Sequence, residues 1–391
     1  MAARNAFAFP IGYYDLHPDV SLNFQFNRFW NWVGEARMLE EMRSVAPRIK
    51  SYVDWTRELL GLAEGALSRG RPIPAAYFTR MAEFFMWADD PRRGPARERF
   101  LEIVLREHQI HESARHSVPY QGARLSTYRF TPDSPRGQLV IFGGFDSYIE
   151  EWFPILFALQ AEGLDVVAFD GPGQGAALEA GVPMTSEWHK PVGAVLDHFG
   201  LADVSLLGFS LGGCLAIRAA AREPRVRRVI ADDVLTDFRA VTKRQLSLAG
   251  RWVLGQSHWL PAPVVNAAVG GARRADHVID WGVAQGMRVL GVKSPAELFV
   301  AIDSLRTDDV SADVKQDVLL MAGSADHYVP VSQLGDQLLS LTHARSLTAR
   351  LFTEAEHAQN HWQIGNLGLS LRVIVDWLDS VGGRARAPSR P

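Results

Sequence analysis

Between Gln138 and Ala231, short unbroken apolar runs alternate with segments of helical spacing, and no other feature constrains the fold as much. The runs are Gln138–Phe142, Asp165–Phe169, Val204–Leu207 and Val226–Ala231. Between them, Trp152–Leu159, Lys190–Phe199 and Gly212–Arg222 repeat their apolar residues with the period of a helix. Apolar runs that do not alternate fit strands covered on both faces. Strands joined to helices by short turns imply a parallel sheet with helices on both faces, the α/β class. Arg124–Phe130 alternates, as a strand with one covered face does. The rhythm resumes at Asp317–Met321 and Ala349–Phe352 and ends in a helix from about Gly368 to Leu378.

Two zones break the rhythm. From about Asn23 to Gln109 apolar and aromatic residues, among them Phe29, Trp30, Trp32, Met38, Tyr77 and Phe85, recur at helical spacing. From Thr236 to about Leu305 helical segments carry Trp252, Trp259 and Trp281, where a lid over the sheet's carboxyl ends would sit. The expected organisation is a helical cap region at 1–116, a first core part at 117–235, a helical insertion at 236–306, a second core part at 307–380 and a disordered tail at 381–391. Chain length exceeds what one compact layer around one core accounts for.

Composition excludes several classes. Net charge is −3 with scattered Lys and Arg, so no footprint for nucleic acid is expected. The single cysteine, Cys214, rules out an intramolecular disulfide and a multi-cysteine metal site, and its place on a helix next to a strand reads as core. No metal-ligand cluster is visible in the spacing, and no cofactor is expected. No stretch approaches 18 uninterrupted apolar residues, so no membrane span is expected. The start lacks a basic segment followed by an apolar run, which makes a cytoplasmic location the expectation. Arg384, Arg386 and Arg390 lie in a short Pro-containing tail and read as disordered rather than as a binding arm.

Chemistry concentrates around Gly208-Phe-Ser210-Leu-Gly212, which follows one apolar run and opens a helix. A nucleophilic serine on a strained strand-to-helix turn needs glycine neighbours so that backbone can pass closely. Chain order then places an acid and a histidine downstream. Asp326 lies just past the Asp317–Met321 strand in a turn closed by Pro330, with Asp232 and Asp233 as reserve candidates. An aspartate there is also a good turn or cap residue. His357 and His361 both follow the last strand, and spacing alone does not choose between them. His327 reads as a pocket-wall or surface residue, and the remaining histidines as surface or core. Backbone N–H groups of Leu211, after the serine, and of Phe145, in the Gly143-Gly-Phe-Asp146 loop, are the expected oxyanion donors. Asp146 admits two readings: N-cap of a helix beginning near Tyr148, or a carboxyl acting on substrate. Gly171-Pro-Gly-Gln-Gly175 lacks the Lys-Ser/Thr of a phosphate loop and reads as a turn below the site.

Five segments together resemble a known group: Gly143–Glu151, Phe169–Gly175, Gly208–Gly213, Ala325–Pro330 and His361–Asn366. The sequence resembles the α/β-hydrolase family of 2,6-dihydroxypseudooxynicotine hydrolase and the Ayg-type fungal polyketide-shortening hydrolases, over roughly Ser117 to Leu378. The resemblance implies an α/β-hydrolase fold with an N-terminal helical cap and a helical insertion, a triad of Ser210, Asp326 and His361, and possible homodimers. Its His361 is chosen by the His-x-x-x-Gly-Asn segment. It also implies a catalytic acidic residue at Asp146, where the family has Glu. Trp362 stands where the family has Cys, which alters the pocket beside His361. The implied function is hydrolysis of a carbonyl-bearing small molecule, with carbon–carbon cleavage of a β-diketone or polyketide-like substrate as the leading form. An esterase, thioesterase or acyltransferase with the same triad, and a catalytically idle binding member, are the alternatives. Trp252, Trp281 and Trp362 are the expected pocket residues.

Overall fold

The alternating runs become strands. The structure, a computed structural model, describes residues 7–382. Its strands are β1 (Arg115–Tyr120), β2 (Ala123–Phe130), β3 (Gly137–Phe142), β4 (Leu164–Phe169), β5 (Val204–Phe209), β6 (Val226–Asp232), β7 (Asp317–Gly323) and β8 (Ser346–Phe352). They form one sheet in the order β1-β2-β4-β3-β5-β6-β7-β8. The pairings β1–β2 and β2–β4 are antiparallel, and all the others are parallel. Every residue of β4, β5 and β7 is buried, as the unbroken apolar runs require.

β1 has no counterpart in the sequence reading. Pro119 interrupts it and its burial only partly alternates, but an edge strand tolerates a proline because one row of its N–H groups is unpaired anyway. The two-residue turn Gln121-Gly122 closes it onto β2, with positive φ at both positions (45° and 79°), the geometry of a tight hairpin.

The first helical zone runs from Val20–Val33 through Ala36–Val45, Tyr52–Ser68 and Pro72–Phe84 to Arg93–Glu107. Val20–Val33 is not amphipathic: Leu22 to Trp32 are all buried. Its polar residues are therefore bonded. Asn27 Oδ1 accepts from Tyr14 N (2.7 Å) while its Nδ2 donates to Tyr14 O (2.8 Å). Asn31 Oδ1 accepts from Gly365 N (3.1 Å), which ties the helix to the segment that carries His361. Between β6 and β7 the chain is helical over Phe238–Gln245, Leu248–Gln256, Ala262–Ala275, His277–Leu290 and Pro295–Ala301. The last helix, Leu367–Gly382, outruns the expected end at Leu378 because Val381 still packs into the core. Val381 and Gly382, placed in a disordered tail by the sequence reading, are thus helical, and the rest of that tail lies outside the described residues. Among the described residues no helix is long and apolar enough to cross a membrane.

Candidate active site

The carboxyl ends of β3, β5, β6 and β7 converge, and the candidate residues stand there. Ser210 follows β5 directly and has φ 59°, ψ −123°, a strained conformation for a residue with a side chain. Its N–H donates to Asp232 O (2.7 Å) and its C=O accepts from Gly213 N (2.9 Å), so the turn is held from both sides. A Cβ at Gly208 would run into the Gly212 carbonyl. Helix Leu211–Ala220 starts at the next residue, leaving the Leu211 N–H without an intrahelical acceptor.

His361 Nε2 lies 2.9 Å from Ser210 Oγ, and His361 Nδ1 lies 2.6 Å from Asp326 Oδ2. Asp326 Oδ1 accepts from Tyr328 N (2.7 Å) and Val329 N (2.9 Å). Turn residue and histidine partner, the two readings of Asp326, are therefore both realised, one on each oxygen. Burial alone would raise the Asp326 carboxyl, but His361, the neighbouring Asp233 and the Val329 N–H outweigh it and hold the pKa at about 2. His357 is exposed, and its backbone ends the short turn Glu354–Glu356 with φ 56°. His327 packs on Phe24 and Tyr328 (ring centroids 4.9 and 3.9 Å apart), and burial holds its pKa down to about 3, so it stays neutral.

The loop after β3 brings Gly144 against the nucleophile turn: a Cβ there would sit 2.8 Å from Leu211 N. Gln174, from the Gly171–Gly175 turn, fixes this loop. Its Nε2 donates to Gly143 O (2.8 Å) and Gly144 O (2.6 Å), while its Oε1 accepts from Gly171 N (2.8 Å). That turn thus braces the loop that carries Phe145, a role beyond the packing expected of it.

Asp146 caps no helix. The following short helix, Ile149–Trp152, is capped by Tyr148, whose N–H donates to Glu151 Oε1 (3.2 Å). The Asp146 carboxylate stands 3.9 Å from Arg28 Nη1, and its carbonyl accepts from Arg80 Nη2 (3.1 Å). The Asp146 side chain is about one third exposed, and its partial removal from water raises its pKa, with Arg28 opposing the shift. Below it lies a buried ionic cluster: Glu151 pairs with Arg28 and with Arg80 (2.7 Å), Arg80 with Glu83 (2.5 Å), and Glu83 with Arg93 (3.1 Å). Asp146, Phe145, Arg80, Arg93, Trp281 and Gln285 border a narrow cavity.

Of the expected pocket residues only Trp281 borders it, packed on Phe85 and Tyr52 (5.0 and 5.9 Å). Trp252 is 61% exposed and does not border this cavity, which corrects the expectation there. Trp362 is corrected too: it is buried among Trp32, Trp152 and Phe209 (5.1, 5.5 and 4.6 Å), a core residue beneath the histidine segment. Sequence reasoning missed Arg28, Arg80, Glu151 and Gln174, whose roles depend on contacts between distant segments. It held Asp233 only in reserve, yet Asp233 Oδ2 is 2.8 Å from His361 Nδ1. Asp233, Asp326 and His361 lie close enough together to be considered for an ion. Hydrogen bonds among themselves and to Trp362, Gln363, Tyr328 and Val329 already account for the cluster.

Comparison with known proteins agrees with this architecture. The chain is 28% identical to "Hydrolyase poxO" of Penicillium oxalicum over 68% of this chain and 69% of that protein. It is 26% identical to "Hydrolase LUC6" of Fusarium sp over 95% and 99%. Among solved structures, 2,6-dihydroxy-pseudo-oxynicotine hydrolase superposes with a TM-score of 0.60 at 23% identity, covering 90% of this chain and 94% of that one. The family model described as the alpha/beta hydrolase fold matches residues 138–360, and the chain belongs to that family.

Proposed function

We propose that the protein is a serine hydrolase that forms an acyl-enzyme on Ser210 and cleaves a carbon–carbon bond beside a carbonyl, as in a β-diketone or a polyketide-like substrate. The observation that carries the first part is the relay from Ser210 Oγ through both His361 nitrogens to Asp326. Ser210 Oγ attacks the carbonyl carbon as His361 Nε2 takes its proton, and the Leu211 and Phe145 N–H groups hold the oxyanion. Collapse breaks the carbon–carbon bond and its electron pair leaves as an enolate that takes a proton from Asp146, and Asp146 regains one from the His361 imidazolium, which leaves the imidazole neutral. Water, deprotonated by His361, then attacks the acyl group and restores Ser210.

Asp146 supports the carbon–carbon form. A half-buried carboxyl whose pKa is raised keeps its proton more readily and can give it to an enolate leaving group. An ester needs no such donor beyond His361. Asp146→Asn is therefore expected to slow diketone cleavage by about 10²-fold, the lower range for a lost general acid, with ester turnover changed only a few-fold. Mass spectrometry of products from a β-diketone panel and matched esters, with Ser210→Ala as control, decides the reading. Split diketones support it. Esters alone as substrates leave the triad and remove the carbon–carbon claim in favour of an esterase.

Trp281 is proposed to wall the substrate site. Trp281→Ala is expected to raise KM about tenfold, the loss of about 1.4 kcal/mol of aromatic contact. Trp252→Ala, on the exposed face, serves as the control and is expected to leave KM within about twofold.

A further inference from the structure

The imidazole of His361 has two carboxylates at Nδ1. Asp326 Oδ2 is 2.6 Å away and Asp233 Oδ2 is 2.8 Å away. They arrive from adjacent parallel strands: Asp233 is the residue after β6, and Asp326 follows β7. Their other bonds differ. Asp326 is anchored in its own turn by the N–H groups of Tyr328 and Val329. Asp233 instead grips the segment that carries the histidine: Oδ2 accepts from Trp362 N (2.6 Å) and Oδ1 from Gln363 Nε2 (2.8 Å). Trp362 and Gln363 both have positive φ (54° and 46°), which non-glycine residues adopt only when the surroundings enforce it.

We propose that Asp233 is a second acid and positioning residue for His361, pinning the histidine segment and supporting the imidazolium together with Asp326. This rests on reading Ser210 and His361 as nucleophile and base. Division of labour follows from the contacts. Asp326 orients the ring from a fixed turn, while Asp233 couples the ring to its own backbone, so that either carboxylate alone still holds Nδ1. Burial raises the Asp233 carboxyl and the Asp326 charge raises it further, with His361 opposing. For His361 burial works in the other direction, and the Asp326 and Asp233 charges overcome it to raise the pKa. The other titratable groups facing the imidazole are Asp232 below the pair, His327 and Tyr328 from the turn after β7, and Asp146 from the loop after β3.

The test is the rate of Ser210 labelling by a fluorophosphonate in the wild type, Asp326→Asn, Asp233→Asn and the double variant, across pH. Loss of the acid from a triad with a single carboxylate costs about 10⁴-fold. Here Asp326→Asn is expected to cost only about 10²-fold because Asp233 remains, and the double variant to reach about 10⁴-fold. The neutral imidazole is the base, so the rate rises with pH through its pKa. Asp233→Asn removes one of the charges that hold the proton, and its acid limb is expected to move to lower pH, which loss of packing alone would not produce. The proposal is overturned if Asp326→Asn is as slow as the double variant, or if the acid limb of Asp233→Asn stays in place. Asp326→Asn leaves Asp233 and its backbone contacts intact, so that arm stands even if Asp233→Asn fails to fold. An unlabelled wild type would instead refute the reading of Ser210.

Discussion

Ser210→Ala is expected to lower kcat by a factor of about 10⁴ to 10⁶ while leaving the folded state intact. The hydroxyl is the one atom removed, and its single side-chain hydrogen bond is the 2.9 Å contact with His361 Nε2. Alanine meets the same backbone conformation that serine already occupies, and the bonds from Ser210 N to Asp232 O and from Gly213 N to Ser210 O do not involve the side chain. Stability should therefore change by less than about 1 kcal/mol, checked by thermal unfolding. The chemical loss is large because, among the described residues, Ser210 supplies the hydroxyl bonded to His361 Nε2. Residual turnover would come from the oxyanion donors and binding alone. His361→Ala should fall to a similar level, and the double variant should be little worse than either, since the two act as one unit.

Glu151→Ala is expected to be the most destabilising single change, by about 3–5 kcal/mol in urea unfolding. The side chain is fully buried and its carboxylate meets Arg28 and Arg80, themselves 3% and 2% exposed. Truncation leaves Arg80 with Glu83 alone and the buried Arg28 guanidinium with only the more distant Asp146 carboxylate, which costs far more than the pair contributes. Three parts of the chain lose their common point: helix Val20–Val33, helix Pro72–Phe84 and the turn after β3. Replacing Arg28 and Glu151 together with apolar residues of similar size should be milder than Glu151→Ala, because no lone charge remains. Asp146 sits over the same cluster, so Glu151→Ala should also loosen the β3 loop and depress turnover of whatever protein stays folded.

The sheet was legible because its strands are buried on both faces, and such runs as Val204–Leu207 and Asp317–Met321 leave little else for the chain to do. β1 escaped because an edge strand carries no such run. The serine turn was legible because strain at Ser210 forces glycine on both sides within a few residues. Asp326 and His361 were legible less directly, through chain order and resemblance, since the 35-position gap between them is closed only by the fold. Three things depend on contacts that no local pattern reports. Asp146 lost its capping role to Tyr148, two residues further on. Trp252 and Trp362, both expected in the pocket, went to opposite extremes, one to the surface and one to the core. Arg28 drew no attention in the sequence, because nothing local reports that its helix is buried on every side.

The most direct test of the central claim is intact-protein mass spectrometry after exposure to a fluorophosphonate, followed by peptide mapping. The account predicts a single adduct on Ser210, formed in the wild type and missing in Ser210→Ala. An adduct that persists in Ser210→Ala, or a wild type left unmodified under conditions that label a known serine esterase, would contradict it.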